Sequence, residues 1–240
     1  MVSNGVTMSD LTVFTYPPAW RLPSACPFAV KLLAWLNLNG LSYCHVVHDT
    51  VEGAPTGSSP WIEVDGVPVG ETDEIIAFLA DLNNIPASRN ADVDQHAFTP
   101  GLKRTFEEQF HKVMEYEMLI HPLGIPGFEA VIARQPAAIA AVQKDRLRHR
   151  LRNYLDDCGF TGLGPKKIEA LGRTILGRLV DVIERQQIIG GAHPSIVELS
   201  VFGQLAPLRN WPMRTPIAEH VKSSTVLCRW CDTIQERCRM

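Results

Sequence analysis

The stretch CPFAVKLLAWLNLNGLSYCHVVH, residues 26–48, decides how the fold is read. Phe28, Leu32, Trp35 and Leu36 recur at i, i+4, i+7 and i+8, which lays one apolar stripe along a helix. Pro27 suits the first helical turn, where its missing N–H has no partner to lose. Gly40 is placed to close the helix in a left-handed conformation. SYCHVVH (42–48) follows as a strand, and LTVFTY (11–16), β-branched and aromatic, is a strand on the other side of the Pro-rich loop PPAWRLP (17–23). The unit is βαβ.

Working outward, EGAPTGSSP (52–60) is a loop, and WIEV, Asp65-Gly66 and VPV form a hairpin signal. ETDEIIAFLADLN (71–83) is amphipathic, with Ile75, Ile76, Leu79 and Leu82 on one side. Thr72 suits its N-cap, and Asp73 and Glu74 suit the helix dipole. Residues 84–100 lack periodicity and read as a linker. Everything beyond is helical. Leu102, Phe106, Phe110 and Val113 start one helix, and residues 137–155 form another. Ile168, Leu171, Ile175, Leu179 and Val182 line a third that opens after Pro165. In PSIVELSVFGQLAPL (194–208), Ser195 and Glu198 have capping-box spacing, and a last helix spans about 217–236. The expected organisation is an α/β domain over 1–83, a linker over 84–100 and an all-helical domain over 101–240.

Composition limits the function classes. Hydrophobic residues are 45% and charged residues 20% of the 240, as in ordinary globular chains. A net charge of −3 gives no field that attracts nucleic acid or an anionic membrane. No apolar run approaches the ~20 residues of a membrane span, and the N-terminus lacks the pattern of a secretory signal. The six cysteines are therefore expected as reduced thiols in the cytoplasm. The basic run KDRLRHRLR (144–152) reads as a solvated helix face. Cys228 and Cys231 form a CxxC without a second ligand pair, so no metal site is expected. His45 and His48 fall on opposite strand faces. Gly159–Gly164 is a turn rather than a phosphate loop, since no strand leads into it.

Several segments, taken in order, resemble the glutathione transferase superfamily. CPFAVKLLAWLNLNGLSY resembles the first helix and following strand of omega-type and related transferases. GSSPWIEVDG resembles the segment whose proline, here Pro60, is cis, and ETDEIIAFL resembles the Glu-Ser helix start, with Glu71 and Thr72 at that pair. HPSIVELSVFGQLAPL resembles the capping-box helix of the C-terminal domain. GFTGLGPKKIEALGRTILGRLVDVI (159–183) is similar to the branch of failed-axon-connections proteins and metaxins. The resemblance implies a thioredoxin-like βαβ-ββα domain before an all-helical domain, a homodimer, and glutathione bound by the first domain.

On that reading, Glu71 pairs with the ligand's ammonium and the Thr72 hydroxyl and N–H take its carboxylate at a helix start. Ser59, before Pro60, pairs with its cysteinyl backbone in strand fashion. Cys26 stands where the superfamily handles sulfur. A helix N-terminus lowers a thiol's pKa, so Cys26 is a candidate nucleophile for disulfide exchange. Ser24 and Tyr16 are candidates for a hydroxyl role, and an inert buried Cys26 is the structural alternative. Trp20 and Phe110 are the aromatic residues expected to line the site of a small electrophilic substrate between the domains. The implied function is a glutathione-dependent transferase or thiol-transferase. The alternatives are a non-catalytic adaptor that binds protein, or a glutathione-dependent lyase or isomerase.

Overall fold

The computed structural model describes residues 11–86, 99–133, 137–185 and 193–240. Strand β1 (Leu11–Thr15) pairs in parallel with β2 (Cys44–Val47) after the crossover helix α1 (Pro27–Leu38), as the right-handed βαβ pattern requires. β1 also pairs antiparallel with β3 (Trp61–Val64), which turns at Asp65-Gly66 into β4 (Val67–Val69). The sheet order is β2-β1-β3-β4. Helix α2 (Thr72–Leu82) completes a thioredoxin-like α/β half.

Alternation along β1 sends Leu11, Val13 and Thr15 inward and Phe14 to the other face, where it stacks on Trp61 at 4.9 Å. Ile75, Ile76 and Leu79 of α2 are buried as their spacing predicts, but Leu82 is turned out beside exposed Phe78. α1 exceeds its amphipathic reading: from Ala29 to Leu36 every residue is buried, Lys31 included. A helix buried all round lies between two layers. Here these layers are the sheet and the helical half.

The helical half begins with α3, residues 99–120, which is α-helical over Thr99–Arg104 and His111–Glu115 and π-helical over Thr105–Phe110 and Tyr116–Ile120. It continues through α4 (Ile125–Ile132), α5 (Ala137–Asp157), a 3₁₀ turn (Thr161–Leu163) and α6 (Pro165–Glu184). Helix α7 is Ile196–Asn210, and the single last helix read over 217–236 is two, α8 (Pro216–Ser223) and α9 (Thr225–Arg237). Ser224 makes the break, because its Oγ accepts from the Leu227 N–H and caps a new helix. Most of the linker, residues 87–98, and the N-terminal segment lie outside the described residues. Among the described residues no helix is long and apolar enough to cross a membrane, and no cluster of metal ligands occurs.

α7 joins the halves. Its Ser195 cap has both capping-box bonds, Glu198 N–H to Ser195 Oγ at 3.3 Å and Ser195 N–H to Glu198 Oε2 at 2.8 Å. Gly203 brings α7 onto α1 so closely that a Cβ there would lie 2.5 Å from the Pro27 carbonyl oxygen. That contact sets the start of α1, and with it Cys26.

Candidate functional site

Cys26 is the N-cap of α1, with extended backbone (φ −89°, ψ 123°) that leaves its side chain ahead of the first turn. Wholly buried Ser24 fixes the approach: its Oγ accepts from the Cys26 N–H at 3.2 Å. Ser24 is therefore a backbone support rather than a group open to ligand. The Cys26 Sγ donates to the Ser59 carbonyl oxygen at 3.2 Å, across 33 residues of chain. The Ser59–Pro60 peptide bond is cis, which turns the chain into β3 beside the thiol. Thus two sequence-predicted groups 33 residues apart, Cys26 and the Ser59-Pro60 pair, meet directly.

The expected activation of Cys26 is reversed. Burial pushes its thiol up to about 11, and the Glu115 charge pushes in the same direction. The N–H groups of Ala29 and Phe28 at the helix start, and the Ser59 side chain, pull it down but are outweighed. A helix N-terminus lowers a thiol's pKa where water solvates the rest of it, and this thiol lies in the interior. At neutral pH it is a hydrogen-bond donor.

Glu71 and Thr72 lie on the same side as Ser59. Glu71, not Thr72, is the N-cap of α2, and Thr72 is the first helical residue, 8% exposed. Glu71 has φ 57°, a left-handed value that non-glycine residues seldom adopt. Its exposed carboxylate accepts from the Ser58 Oγ at 3.3 Å. No side chain caps α2, so the first N–H groups of the helix are left for solvent or a ligand anion. Ser59 Oγ is buried without a partner. This set has the donors and acceptors that a peptide-like ligand with terminal charges requires.

The two residues expected to form the aromatic wall lie in different surroundings. Phe110 is fully buried and packs on Phe106, with ring centroids 4.9 Å apart, so it fills the helical core instead of facing a cleft. Trp20 is partly buried and meets Trp211 edge-on at 4.7 Å, at the junction of the halves. Tyr16, the second hydroxyl candidate, lies within electrostatic reach of Cys26. Burial and the thiol raise its pKa, while Arg150 of α5 bonds to it and lowers it. Asp145, Arg146, His149 and Arg150 of the basic run are all solvated as read, and Arg150 reaches Tyr16 from that exposed face.

Sequence reasoning missed two groups. Lys31, with a side chain 1% exposed, bonds Asp73 of α2 at 2.6 Å and Glu107 of α3 at 2.7 Å. Lys103 joins both carboxylates, at 3.3 Å to Glu107, to complete an alternating network. The Lys31 position within an apolar helix stripe, KLLAWL, was the only signal available. The second group is His111 of α3, whose Nδ1 meets Gln204 Oε1 at 3.0 Å and whose Nε2 meets Glu115 at 3.3 Å. With an acceptor facing each ring nitrogen, the arrangement favours the doubly protonated ring. Burial alone would lower its pKa, but Glu115, Gln204 and Glu107 together raise it. The ring stands edge-on to Phe28 at 5.1 Å, one turn from Cys26. A hollow of about 240 Å³ between α6 and α9, lined by Ile183, Val226, Trp230 and Ile234 among others, contains none of these groups.

Residues 27–124 match the family model of the glutathione S-transferase N-terminal domain. The whole chain is similar to the isoprene-epoxide–glutathione S-transferase of Rhodococcus sp. (strain AD45), with 22% identity over 95% of this chain and 98% of that one. Among solved structures, the β-etherase LigF of Sphingobium sp. strain SYK-6 superposes with a TM-score of 0.60 at 17% identity, covering 94% of each chain. The glutathione transferase URE2P6 of Phanerochaete chrysosporium, solved with oxidised glutathione, superposes at 0.57 with 14% identity, covering 95% of this chain and 91% of that one. The first half of the chain thus carries a match to the glutathione S-transferase N-terminal domain, and the chain as a whole shares the fold of these transferases.

Proposed function

We propose that the protein is a glutathione-dependent transferase that joins glutathione to a small electrophile, with Cys26 as a hydrogen-bond donor to the reacting sulfur. The observation that carries this reading is the bond from the Cys26 thiol to the Ser59 carbonyl, made by a thiol held protonated beside the cis proline. Ser59's carbonyl is the natural acceptor for the cysteinyl N–H of a strand-paired tripeptide. Once that N–H takes the carbonyl, the Cys26 proton is released to donate to the ligand's sulfur. A donor to a thiolate stabilises it and lowers the ligand thiol's pKa. Glu71 takes the ammonium, and the uncapped start of α2 at Thr72 takes the adjoining carboxylate.

A buried thiol at about 11 is ionised in only about one molecule in several thousand at pH 7.5. That speaks against attack by Cys26 and for conjugation by the bound thiolate, as in serine-type rather than omega-type transferases. Similarity to an isoprene-epoxide transferase supports a small electrophile such as an epoxide as the second substrate.

Two serial variants separate the roles. Cys26→Ser keeps a donor and retains most conjugation with 1-chloro-2,4-dinitrobenzene, whereas Cys26→Ala loses roughly 10–100-fold, the worth of a hydrogen bond to a charged acceptor. Loss of activity in Cys26→Ser, with glutathione affinity intact, would establish the nucleophile instead. Calorimetry supplies the prior test: heat of binding at millimolar glutathione is expected. Its absence would refute the transferase reading in favour of the adaptor of the failed-axon-connections and metaxin-like branch.

A further inference from the structure

At the junction of the two halves, Gln204 of α7, His111 of α3 and Glu115 one turn further on form a chain of bonds, Gln204 Oε1 to His111 Nδ1 and His111 Nε2 to Glu115 Oε1. The chain locks the Glu115 carboxylate in place from behind. Its other oxygen, Oε2, is buried and has no partner; it is the one carboxylate oxygen so left among the described residues. A buried acceptor without a donor is costly, and an acceptor with charge more so. Helices rarely keep such a group unless something else meets it.

The location says what meets it. Glu115 lies close enough to Cys26 for its charge to act on the thiol, and it acts also on Tyr154 of α5. The Phe28 ring, next to Cys26 in α1, packs against His111. α3 departs from α-helical geometry on both sides of this turn, over Thr105–Phe110 and Tyr116–Ile120, and such π segments re-aim side chains at sites of function. The orphan oxygen therefore belongs to the part of the junction that also holds Cys26 and the Phe28 ring. A lone water is a poor match, since it needs two to four polar partners, whereas a hydroxyl on an apolar body needs one.

We propose that Glu115 Oε2 is a specificity-determining acceptor for a hydroxyl group on the second substrate, so that the enzyme selects hydroxyl-bearing electrophiles over apolar ones of the same size. The proposal rests on glutathione binding at Ser59 and Thr72 and deepens that reading by naming the substrate class. His111 and Gln204 are positioning residues, which hold the carboxylate and touch no substrate.

The test uses matched thioether conjugates, so it depends on no catalytic step. Calorimetry compares S-(2-hydroxyethyl)glutathione with S-propylglutathione, and S-(4-hydroxybutyl)glutathione with S-pentylglutathione, on the wild-type protein. The hydroxylated member of at least one pair is expected to bind roughly tenfold or more tightly, the typical worth of a hydrogen bond to a charged group. In Glu115→Met the ratio falls to one or inverts, while affinity for glutathione itself stays within about twofold. A wild-type ratio near one in both pairs, with glutathione still bound, overturns the proposal and leaves the transferase reading standing. Failure of glutathione itself to bind overturns both.

Discussion

Replacing Lys31 by Met tests what holds the two halves together. The substitution keeps the volume and removes an ammonium that is 1% exposed and bonded at 2.6 and 2.7 Å to Asp73 and Glu107. Breaking a buried ion pair by removing one partner typically costs about 3–5 kcal/mol, because the other charge is left in low dielectric. Two features reduce this. Asp73 is half exposed, so solvent takes up much of its loss. Lys103 still reaches Glu107 at 3.3 Å. The stranded charge is mainly Glu107, 15% exposed, and the expected loss is about 2–3 kcal/mol. At roughly 2–4 °C per kcal/mol for a chain of this size, thermal unfolding should fall by about 4–12 °C. Calorimetry and urea unfolding measure it, and Lys31→Met combined with Glu107→Gln should recover at least about 1 kcal/mol of the loss, as expected of residues in contact. A single mutant within about 0.5 kcal/mol of wild type, or more stable, would refute the idea that this network clamps α1 between α2 and α3. It would mean that the ions only break even against an apolar core.

Four further outcomes follow from the same geometry. Gly203→Ala sets a Cβ against the Pro27 carbonyl and should destabilise by about 1–3 kcal/mol, whereas Gly177→Ala, in α6 with open space around it, should stabilise by up to about 1 kcal/mol; equal effects in urea unfolding would refute the close contact. Alkylation by iodoacetamide at pH 7.5, read by mass spectrometry, should mark exposed Cys44 and Cys158 first and leave Cys26, Cys231 and Cys238 nearly untouched. Because the folded pKa of Cys26 is raised, the stability it contributes is complete below the unfolded value near ~8.5 and is lost as pH rises towards about 11, so unfolding midpoints should decline over that alkaline window and Cys26→Ser should flatten the decline. Ser195→Ala removes one bond of the α7 capping box and should cost about 1 kcal/mol in thermal unfolding; no change would mean that Glu198 alone satisfies that end.

Local chemistry determined much of this protein on its own. The β-branched and aromatic segments and the Asp65-Gly66 turn marked the strands and their hairpin, and the Ser195–Glu198 spacing marked the start of α7, because such signals act between residues a few positions apart. The meeting of Ser59-Pro60 with Cys26 was legible only through resemblance, since no local rule links residues 33 apart. Tertiary structure alone decided three things. Burial reversed the expected ionisation of Cys26, because desolvation depends on what packs around a thiol and not on the helix it begins. Phe110, placed at the substrate by its aromatic type, went to the core against Phe106. Lys31 and the His111–Glu115 pair became polar centres of the domain junction because their partners come from elements that sequence order keeps far apart. Charges and thiols acquire their chemistry from neighbours, and neighbours are a property of the folded chain.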